Sequence, residues 1–308
     1  MKKRQFLNIN TPNELALQLK LPADFLIKLA NQVDDSYYTF DKKFIKKDGT
    51  IKTRKFFDSN KDLKTIHKRI NQLLDCVEYP KSIQGGITGK SIATNASIHA
   101  GRKHVANFDI SNFFPSIDYH VVYKVYRFLK CSPDVARLLT RFSTADAHLP
   151  QGFGTSPKVS GLVLLEVDMR LTKLLKRYGL KHSFWIDDLT ISGDRSIKKF
   201  KNIICKIFQQ SGFKLNQKKT EFADSRQKQT CTGLTINYKP NADKAIREKV
   251  RKELYLCKKF GVDHFLNENS INVDRDKYLR SLAGKISFLY SINSKYLTYK
   301  KSFQEIIK

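Results

Sequence analysis

Nowhere does the chain run through the 18 or so consecutive apolar residues that a membrane-crossing helix needs. Its basic start, Met1-Lys2-Lys3-Arg4-Gln5, is followed by Phe6-Leu7-Asn8-Ile9-Asn10, too short and polar for the apolar segment of a signal peptide. A cytosolic protein is expected. The five cysteines, Cys76, Cys131, Cys205, Cys231 and Cys257, form no Cys-x-x-Cys pair, which argues against a disulfide scaffold or a structural zinc. Gly/Ser-rich linkers and internal repeats are missing, so the two or three subdomains that 308 residues can build should pack continuously. Acidic residues are scarce: 29 Asp and Glu stand against 57 Lys and Arg, a net charge of +28. An excess of that size implies a polyanionic partner, and nucleic acid is the expected one. An anionic membrane fits less well, because the basic residues are spread through the chain.

The most informative stretch is His182-Ser183-Phe184-Trp185-Ile186-Asp187-Asp188-Leu189-Thr190-Ile191-Ser192-Gly193. Two apolar, β-branched runs flank an Asp pair, which predicts a hairpin whose tight turn carries two carboxylates. Alone, such a turn is merely solvated. A second run, Val105-Ala106-Asn107-Phe108-Asp109, again ends an apolar strand in Asp. One buried charge is costly, so two such strand ends suggest a carboxylate cluster suited to hard cations.

In chain order, Thr11-Pro12-Asn13-Glu14 predicts a capped helix, and another should run from Ala23 to Ala30. Tyr37-Tyr38-Thr39-Phe40 and Phe44 to Phe56 predict two strands around an Asp48-Gly49 turn, with Lys52 and Arg54 projecting from one face. These cations suit a phosphate clamp or the protection of an edge strand. Apolar spacing predicts a helix over Asp62 to Val77. Gln84-Gly85-Gly86-Ile87-Thr88-Gly89-Lys90-Ser91 ends like a phosphate loop, but Gln84 stands where its first glycine belongs. Ser116 is a candidate cap for a helix through Leu129, and Ser156 for one from Pro157 that stops by Gly179. Gln151-Gly152-Phe153-Gly154 just before the latter suits close approach of a nucleotide. A helix starting at Ser196 should end at Gly212, and a strand over Phe213 to Asn216 should lead to Lys218-Lys219-Thr220. Beyond Pro240, Ile246, Val250, Leu254 and Cys257 mark one face of a basic helix, and Leu279 to Tyr290 mark a later one.

Five segments resemble, in order, the palm motifs A to E of reverse transcriptases: Asp109 to Ile117, Pro150 to Pro157, Trp185-Ile186-Asp187-Asp188, Asn216 to Thr220, and Thr232-Gly233-Leu234. The chain looks most like the bacterial retron group. It is compact, Asn95-Ala96 with His99 matches an Asn-Ala-x-x-His stretch, and Cys231-Thr232-Gly233 stands near that group's Val-Thr-Gly. It departs from the group's usual Tyr-Ala-Asp-Asp, carrying Trp185 and Ile186 ahead of the Asp pair.

The resemblance implies an α+β right-hand polymerase: N-terminal helices and fingers over residues 1–100, an antiparallel-sheet palm backed by helices over 101–238, and a helical thumb over 239–308. Asp109 and Asp187, with the Ile110 carbonyl, would hold two Mg²⁺ ions, and Asp188 would assist. Lys52 and Arg54 would hold the triphosphate of a deoxynucleotide, Gln151 and Gly152 would shape its pocket, and Phe114 would lie against the sugar. Lys219 would protonate departing pyrophosphate, unless it is one more solvated lysine. Trp185 and Ile186 would meet the primer; Asn95, His99, Thr232, Gly233, Arg247 and Arg251 would meet RNA. The implied function is copying a cognate noncoding RNA into a short DNA branched from an RNA 2′-OH, in bacterial antiphage defence, alongside an effector protein from the same locus. Phage-exclusion and diversity-generating reverse transcriptases share the palm motifs and stay open, as does an RNA-binding scaffold with a silent palm.

Overall fold

In the computed structural model, which describes residues 5–45 and 49–307, the N-terminal capping signals become helix starts. Thr11 Oγ1 accepts from Glu14 N (3.1 Å) at the head of α1 (Pro12–Leu19), and the Glu14 carboxylate reaches back to Asn10 N (2.7 Å). Helix α2 (Ala23–Asn31) follows. Strands β1 (Tyr37–Ile45) and β2 (Ile51–Ser59) form an antiparallel ribbon in which Phe44 opposes Lys52 and Lys42 opposes Arg54. Both strands outrun the sequence expectation; Asp48, half of the anticipated turn, lies outside the described residues. Asn60 caps α3 (Lys61–Leu74), and Ser91 and Thr94 cap α4 (Ile92–His99) reciprocally.

The central sheet begins with β3 (His104–Asp109). Ser116 does not cap the following helix: it closes the one-turn α5 (Phe113–Ser116) by donating to Phe113 O, and Asp118 caps α6 (Tyr119–Phe128). Helix α7 (Pro133–Ser143) packs on α6. Ser156 is likewise no cap but the first residue of α8 (Ser156–Val163), its hydroxyl donating to Pro150 O (2.7 Å) across the glycine loop. Ser116 thus bonds a carbonyl inside its own turn, whereas the one Ser156 takes comes from the folded-back loop. The expected long helix breaks at Leu164, and α9 (Leu165–Lys176) continues.

Strands β4 (Lys181–Trp185) and β5 (Asp188–Gly193) make the hairpin. A 3-10 turn, Lys198–Phe200, replaces the anticipated start at Ser196 and leads into α10 (Lys201–Gln210). The strand expected over Phe213 to Asn216 shrinks to one bridge between Leu215 and Ile110; the edge strand is instead β6 (Glu221–Asp224). Sheet order is β4-β5-β3-β6, all antiparallel. A small hairpin, β7 (Thr230–Cys231) and β8 (Leu234–Thr235), precedes α11 (Lys244–Phe260), α12 (Val262–Glu268), α13 (Arg275–Ile292) and α14 (Leu297–Ile306). Ile246, assigned by spacing to the inner face of α11, is exposed, and Glu253 is buried there instead, paired with Lys285 (3.0 Å).

Register decides what each sheet face does. Phe184 opposes Leu189 and Phe108 opposes Leu189 across the other edge, so this apolar face packs on α10 through Phe208 and on α9 through His182 and Asp168. Side chains one residue away point to the opposite face, so Asp109 and Asp188, also direct partners, look away from α9 and α10. One large core fills the space from Leu7 to Leu215; a separate cluster holds α11 to α14 together, and a small one joins Ala96, Val105, Cys231 and Leu234. No helix among the described residues is long and apolar enough to cross a membrane.

A buried cation ties α8 to α3. Lys158 Nζ bonds Asp75 Oδ1 (2.7 Å) and Asn71 O (2.8 Å), with its side chain 8% exposed. Lys158→Met keeps the stem but leaves both acceptors without this donor. It should lower unfolding stability by about 2 kcal/mol in a urea titration, and an unchanged midpoint would remove the tie from the account.

Candidate active site

Strand pairing brings the three carboxylates together. Ile110 N donates to Asp187 O (3.0 Å), which draws the tip of the β4–β5 hairpin to the end of β3. Because Trp185 opposes Asp188, the two turn residues are Ile186 and Asp187; the turn carries one of the carboxylates, and Asp188 opens β5. Ile186 has φ +60°, an unusual conformation for a β-branched residue that costs about 1–3 kcal/mol, and it packs against the main core. Along its other edge the end of β3 is held by Ser111 N to Lys214 O (2.8 Å) and Asn216 N to Asp109 O (2.8 Å). Asn216 then caps the turn Gln217–Lys219, which aims the Lys219 ammonium at the Asp109 carboxylate, and the two are ion-paired.

Partial exclusion of water, with like charge added, raises the pKa values of Asp187 and Asp188. At Asp188, desolvation acts first and the Asp187 and Asp109 charges add to it, pushing its pKa to about 6 even though the side chain opens on the cleft. Asp187 is also raised, mainly by desolvation and then by Asp109, while Lys219 and Arg54 pull it the other way. Arg54 of the ribbon therefore acts electrostatically on the carboxylates. Among the described residues no three His, Cys, Asp or Glu side chains form a ready-made metal cage. The oxygen-only donors nevertheless fit Mg²⁺, which usually takes one or two carboxylates and completes its shell with water and substrate phosphate. A cluster already crowded with negative charge favours such a cation.

The glycine loop is fastened to the ribbon. Phe57 N donates to Gln151 O (2.9 Å), and Asn71 Nδ2 donates to Gly154 O (2.8 Å). Gly152 has φ +130°, and a Cβ there would lie 2.0 Å from Phe57 O, so no side chain fits. Phe114 is half-buried beside Phe113, with ring centroids 5.7 Å apart. Lys52 is exposed on the ribbon, two residues from Arg54.

The segment that ends in Gly-Lys-Ser contributes differently. Phe184 N donates to Ser82 O (2.7 Å), and Gln84 N and Gly85 N both donate to Phe184 O, so this loop lines the free edge of β4. A Cβ on Gly85 would fall 2.3 Å from Ile186 N. Sequence reasoning set this stretch aside as a failed phosphate loop; its glycines were the available signal of close backbone approach.

Asn95 and His99, expected to meet RNA, are 1% and 0% exposed and do not reach the surface. They form a buried network behind the carboxylates. Ser183 Oγ donates to Asn95 Oδ1 (2.6 Å), which spends its only proton, so it accepts from His99 Nε2 (2.7 Å). His99 Nδ1 then accepts from Ser192 Oγ (2.7 Å). The network fixes the tautomer and clamps β4 to β5, and burial depresses the His99 pKa to about 3, keeping the ring neutral. Asn95 Nδ2 continues to Cys231 Sγ (3.3 Å), and Cys231 donates to Thr190 Oγ1 (3.5 Å), binding the β7–β8 hairpin to the sheet. Thr232 and Gly233 are the turn of that hairpin, Gly233 exposed and Thr232 half-buried. Arg247 and Arg251 lie apart from the carboxylates in sequence and core, on a groove of about 340 Å³ between α11 and α14 that also includes Lys244, Lys295 and Tyr299.

Residues 45–237 match the family model described as Reverse transcriptase (RNA-dependent DNA polymerase). The chain is 31% identical over 221 residues to the retron Se72 reverse transcriptase of Salmonella heidelberg, covering 68% of this chain and 58% of that one. It is 31% identical to the retron Mx65 reverse transcriptase of Myxococcus xanthus over 63% of this chain and 50% of that one, and 26% identical to the retron Ec86 reverse transcriptase of Escherichia coli over 93% and 86%. The chain thus spans little more than half the length of the Se72 and Mx65 proteins.

The raised Asp188 pKa has a signed consequence. The native carboxyl keeps its proton up to about pH 6, whereas the unfolded one loses it near the ordinary 3.8, so the stability this group contributes falls as pH rises through that window. Asp188→Asn should melt above the parent protein at pH 7.5 in chelator-treated buffer, with the gap closing toward pH 4. Buried His99 and His67, both with lowered pKa values, tilt parent and variant alike and cancel in the difference. Equal melting temperatures at pH 7.5 would show that Asp188 carries no electrostatic strain.

Proposed function

Because the chain belongs to the reverse transcriptase (RNA-dependent DNA polymerase) family, and its relatives include retron reverse transcriptases, we propose that it is the RNA-directed DNA polymerase of a retron. The observation that carries the reading is the meeting of Asp109, Asp187 and Asp188 at one sheet end, with Lys219 bonded to the first and Arg54 acting on the second. In this reading the ribbon and N-terminal helices are the fingers, the four-stranded sheet with its helices is the palm, and α11 to α14 are the thumb.

Asp109, Asp187 and the Ile110 carbonyl would hold two Mg²⁺ ions. Bound there, the cations supply Lewis acidity to the attacking hydroxyl and to the triphosphate. The chain's own side chains do the rest. Arg54 and Lys52 bind the triphosphate of an incoming deoxynucleotide as it enters beneath the ribbon. Gln151 and Gly152, pinned to Phe57, bound the pocket, and Phe114 lies against the sugar where a ribose hydroxyl would crowd it. Lys219 leaves Asp109 for the pyrophosphate oxygen and gives it a proton as the bond to the α-phosphate breaks. Trp185 and Ile186 meet the primer end, with Ile186 fixed by its packing rather than free to yield.

The template is a structured noncoding RNA from the protein's own locus, copied from an RNA 2′-OH so that RNA and DNA stay branched together. Arg247 and Arg251, in their groove with Tyr299, contact that RNA, as do Thr232 and Gly233 at the turn of the β7–β8 hairpin. The product serves antiphage defence in the bacterial cytoplasm, with an effector protein from the same locus.

Asp187→Asn should abolish DNA synthesis while RNA affinity stays within about twofold, because grip depends on many phosphate contacts and catalysis on one carboxylate. Extension above a few per cent would remove Asp187 from the catalytic set. For the retron assignment, protein expressed with its native flanking DNA should co-purify with a short DNA that parts from RNA only after debranching enzyme is added. If it carries no defined RNA and extends any annealed primer equally, it is a polymerase of another kind.

A further inference from the structure

The far side of the palm carries a second basic surface. Helices α9 and α10 bound an open groove of about 500 Å³, walled by Arg170, Lys173, Arg177 and Lys206 and floored by Leu174 and Ile203. Lys173 and Arg177 stand one turn apart on α9, and both are exposed, as is Lys206 on α10. Ile203 is 44% exposed in a helix whose other isoleucines, Ile204 and Ile207, are buried. Arg170 is held in place by Gln210 and by Ser211 Oγ (3.4 Å), which joins the two helices at one end of the groove.

Of the four wall cations, Arg170 is paired with the exposed Glu166 one turn earlier (3.9 Å), and beyond that pair the surface is basic. No acidic residue occurs between Asp168 and Asp187, and none between Asp194 and Glu221. Solvated faces of soluble proteins ordinarily mix both signs. Cations in the last turn of α9 are favoured by the helix dipole, which accounts for Lys173 and Lys176. That explanation does not reach Lys206, which lies mid-helix in α10, or the exposed apolar floor.

The groove is separate from the polymerase cleft because of the period-two alternation of the sheet. Phe184, Leu189 and Phe108 face α9 and α10, while Asp109 and Asp188 face away. A strand being copied at the carboxylates therefore lies across the sheet from these cations.

We propose that the α9–α10 groove binds a second nucleic acid segment, single-stranded RNA, while the cleft is occupied. The occupant is a polyanion because Lys173, Arg177 and Lys206 all stand in stretches without acids. It is single-stranded because the apolar floor can be covered by unpaired bases, which a duplex keeps inside. The floor is aliphatic, so affinity comes from phosphates and is tolerant of sequence. The proposal rests on the proposed function in one respect, that the cleft holds a primer–template; oligouridylate binding without primer–template reads the groove apart from it.

The test uses the triple variant Lys173→Gln/Arg177→Gln/Lys206→Gln and a fluorescein-labelled 20-nucleotide oligouridylate. Anisotropy is read with and without a saturating hairpin primer–template in the cleft. The parent protein should bind the oligouridylate in both states. The variant should bind it at least about tenfold more weakly when the cleft is filled, with a salt slope smaller by roughly 2, while extension of the hairpin primer is unchanged. Unchanged extension also shows that the variant is folded. Three results would overturn the proposal: equal binding by the variant, complete displacement of oligouridylate from the parent by the primer–template, or a loss of extension that parallels the loss of binding. Equal binding would leave the groove to an acidic protein segment.

Discussion

Mutual repulsion among Asp109, Asp187 and Asp188 is the constraint on which the rest of the structure depends. Three carboxyl groups meet at one sheet end, where burial and then neighbouring negative charge raise the pKa of Asp187 and Asp188, and they can stay together only if the backbone leaves them no alternative and cations stand nearby. The backbone meets the first condition by holding β3 on both edges, through Asp187 on one and Lys214 to Asn216 on the other. Lys219 and Arg54 meet the second from two unrelated elements, a short turn and a long ribbon. The left-handed φ of Ile186 belongs to the same arrangement: the turn is strained, and the β4-edge loop at Gly85 presses against it with no room to relax.

Behind the carboxylates, polar groups rather than packed hydrocarbon keep the hairpin in register. His99 bridges Ser183 and Ser192 on adjacent strands, and Asn95 extends the chain to Cys231 and thence to Thr190. Each donor in this path has one acceptor that suits it, so a slip of one residue would bury several polar groups without partners, at about 1–3 kcal/mol each. Such a network specifies a unique position more sharply than apolar contacts, which tolerate sliding. It also links the β4–β5 hairpin to the β7–β8 hairpin and, through Ile292, to the helices that follow.

The excess positive charge is distributed with the same economy. Near the carboxylates it is local and paired, as in Lys219 with Asp109. On α10 and the last turn of α9 it is exposed and without acids, and on α11 it outnumbers Glu248 and Glu253; there its effect is long-range attraction of a polyanion that weakens as salt rises. Lys158 is the contrasting case, a buried cation paired with half-buried Asp75 whose role is to tie α8 to α3.

What the sequence by itself determined was local chemistry: the strand that ends at Asp109, the hairpin around the Asp pair, the glycine loop before α8, the basic ribbon, and the order in which they resemble reverse transcriptase motifs. Each is written in residues a few positions apart, where alternation, turn propensity and motif spacing are legible. Ser116 and Ser156 looked like helix caps because capping residues are read from neighbours, whereas Ser116 ends a one-turn helix and bonds inside it, and Ser156 bonds a carbonyl that the glycine loop folds back. Tertiary structure alone decided that Asn95 and His99 face inward, because burial depends on what covers α4, and the covering strand lies more than eighty residues away. It also decided that Asp109 and Asp188 share a face opposite α9 and α10. Strand register fixes that face, and register comes from pairing between distant segments that no local pattern contains.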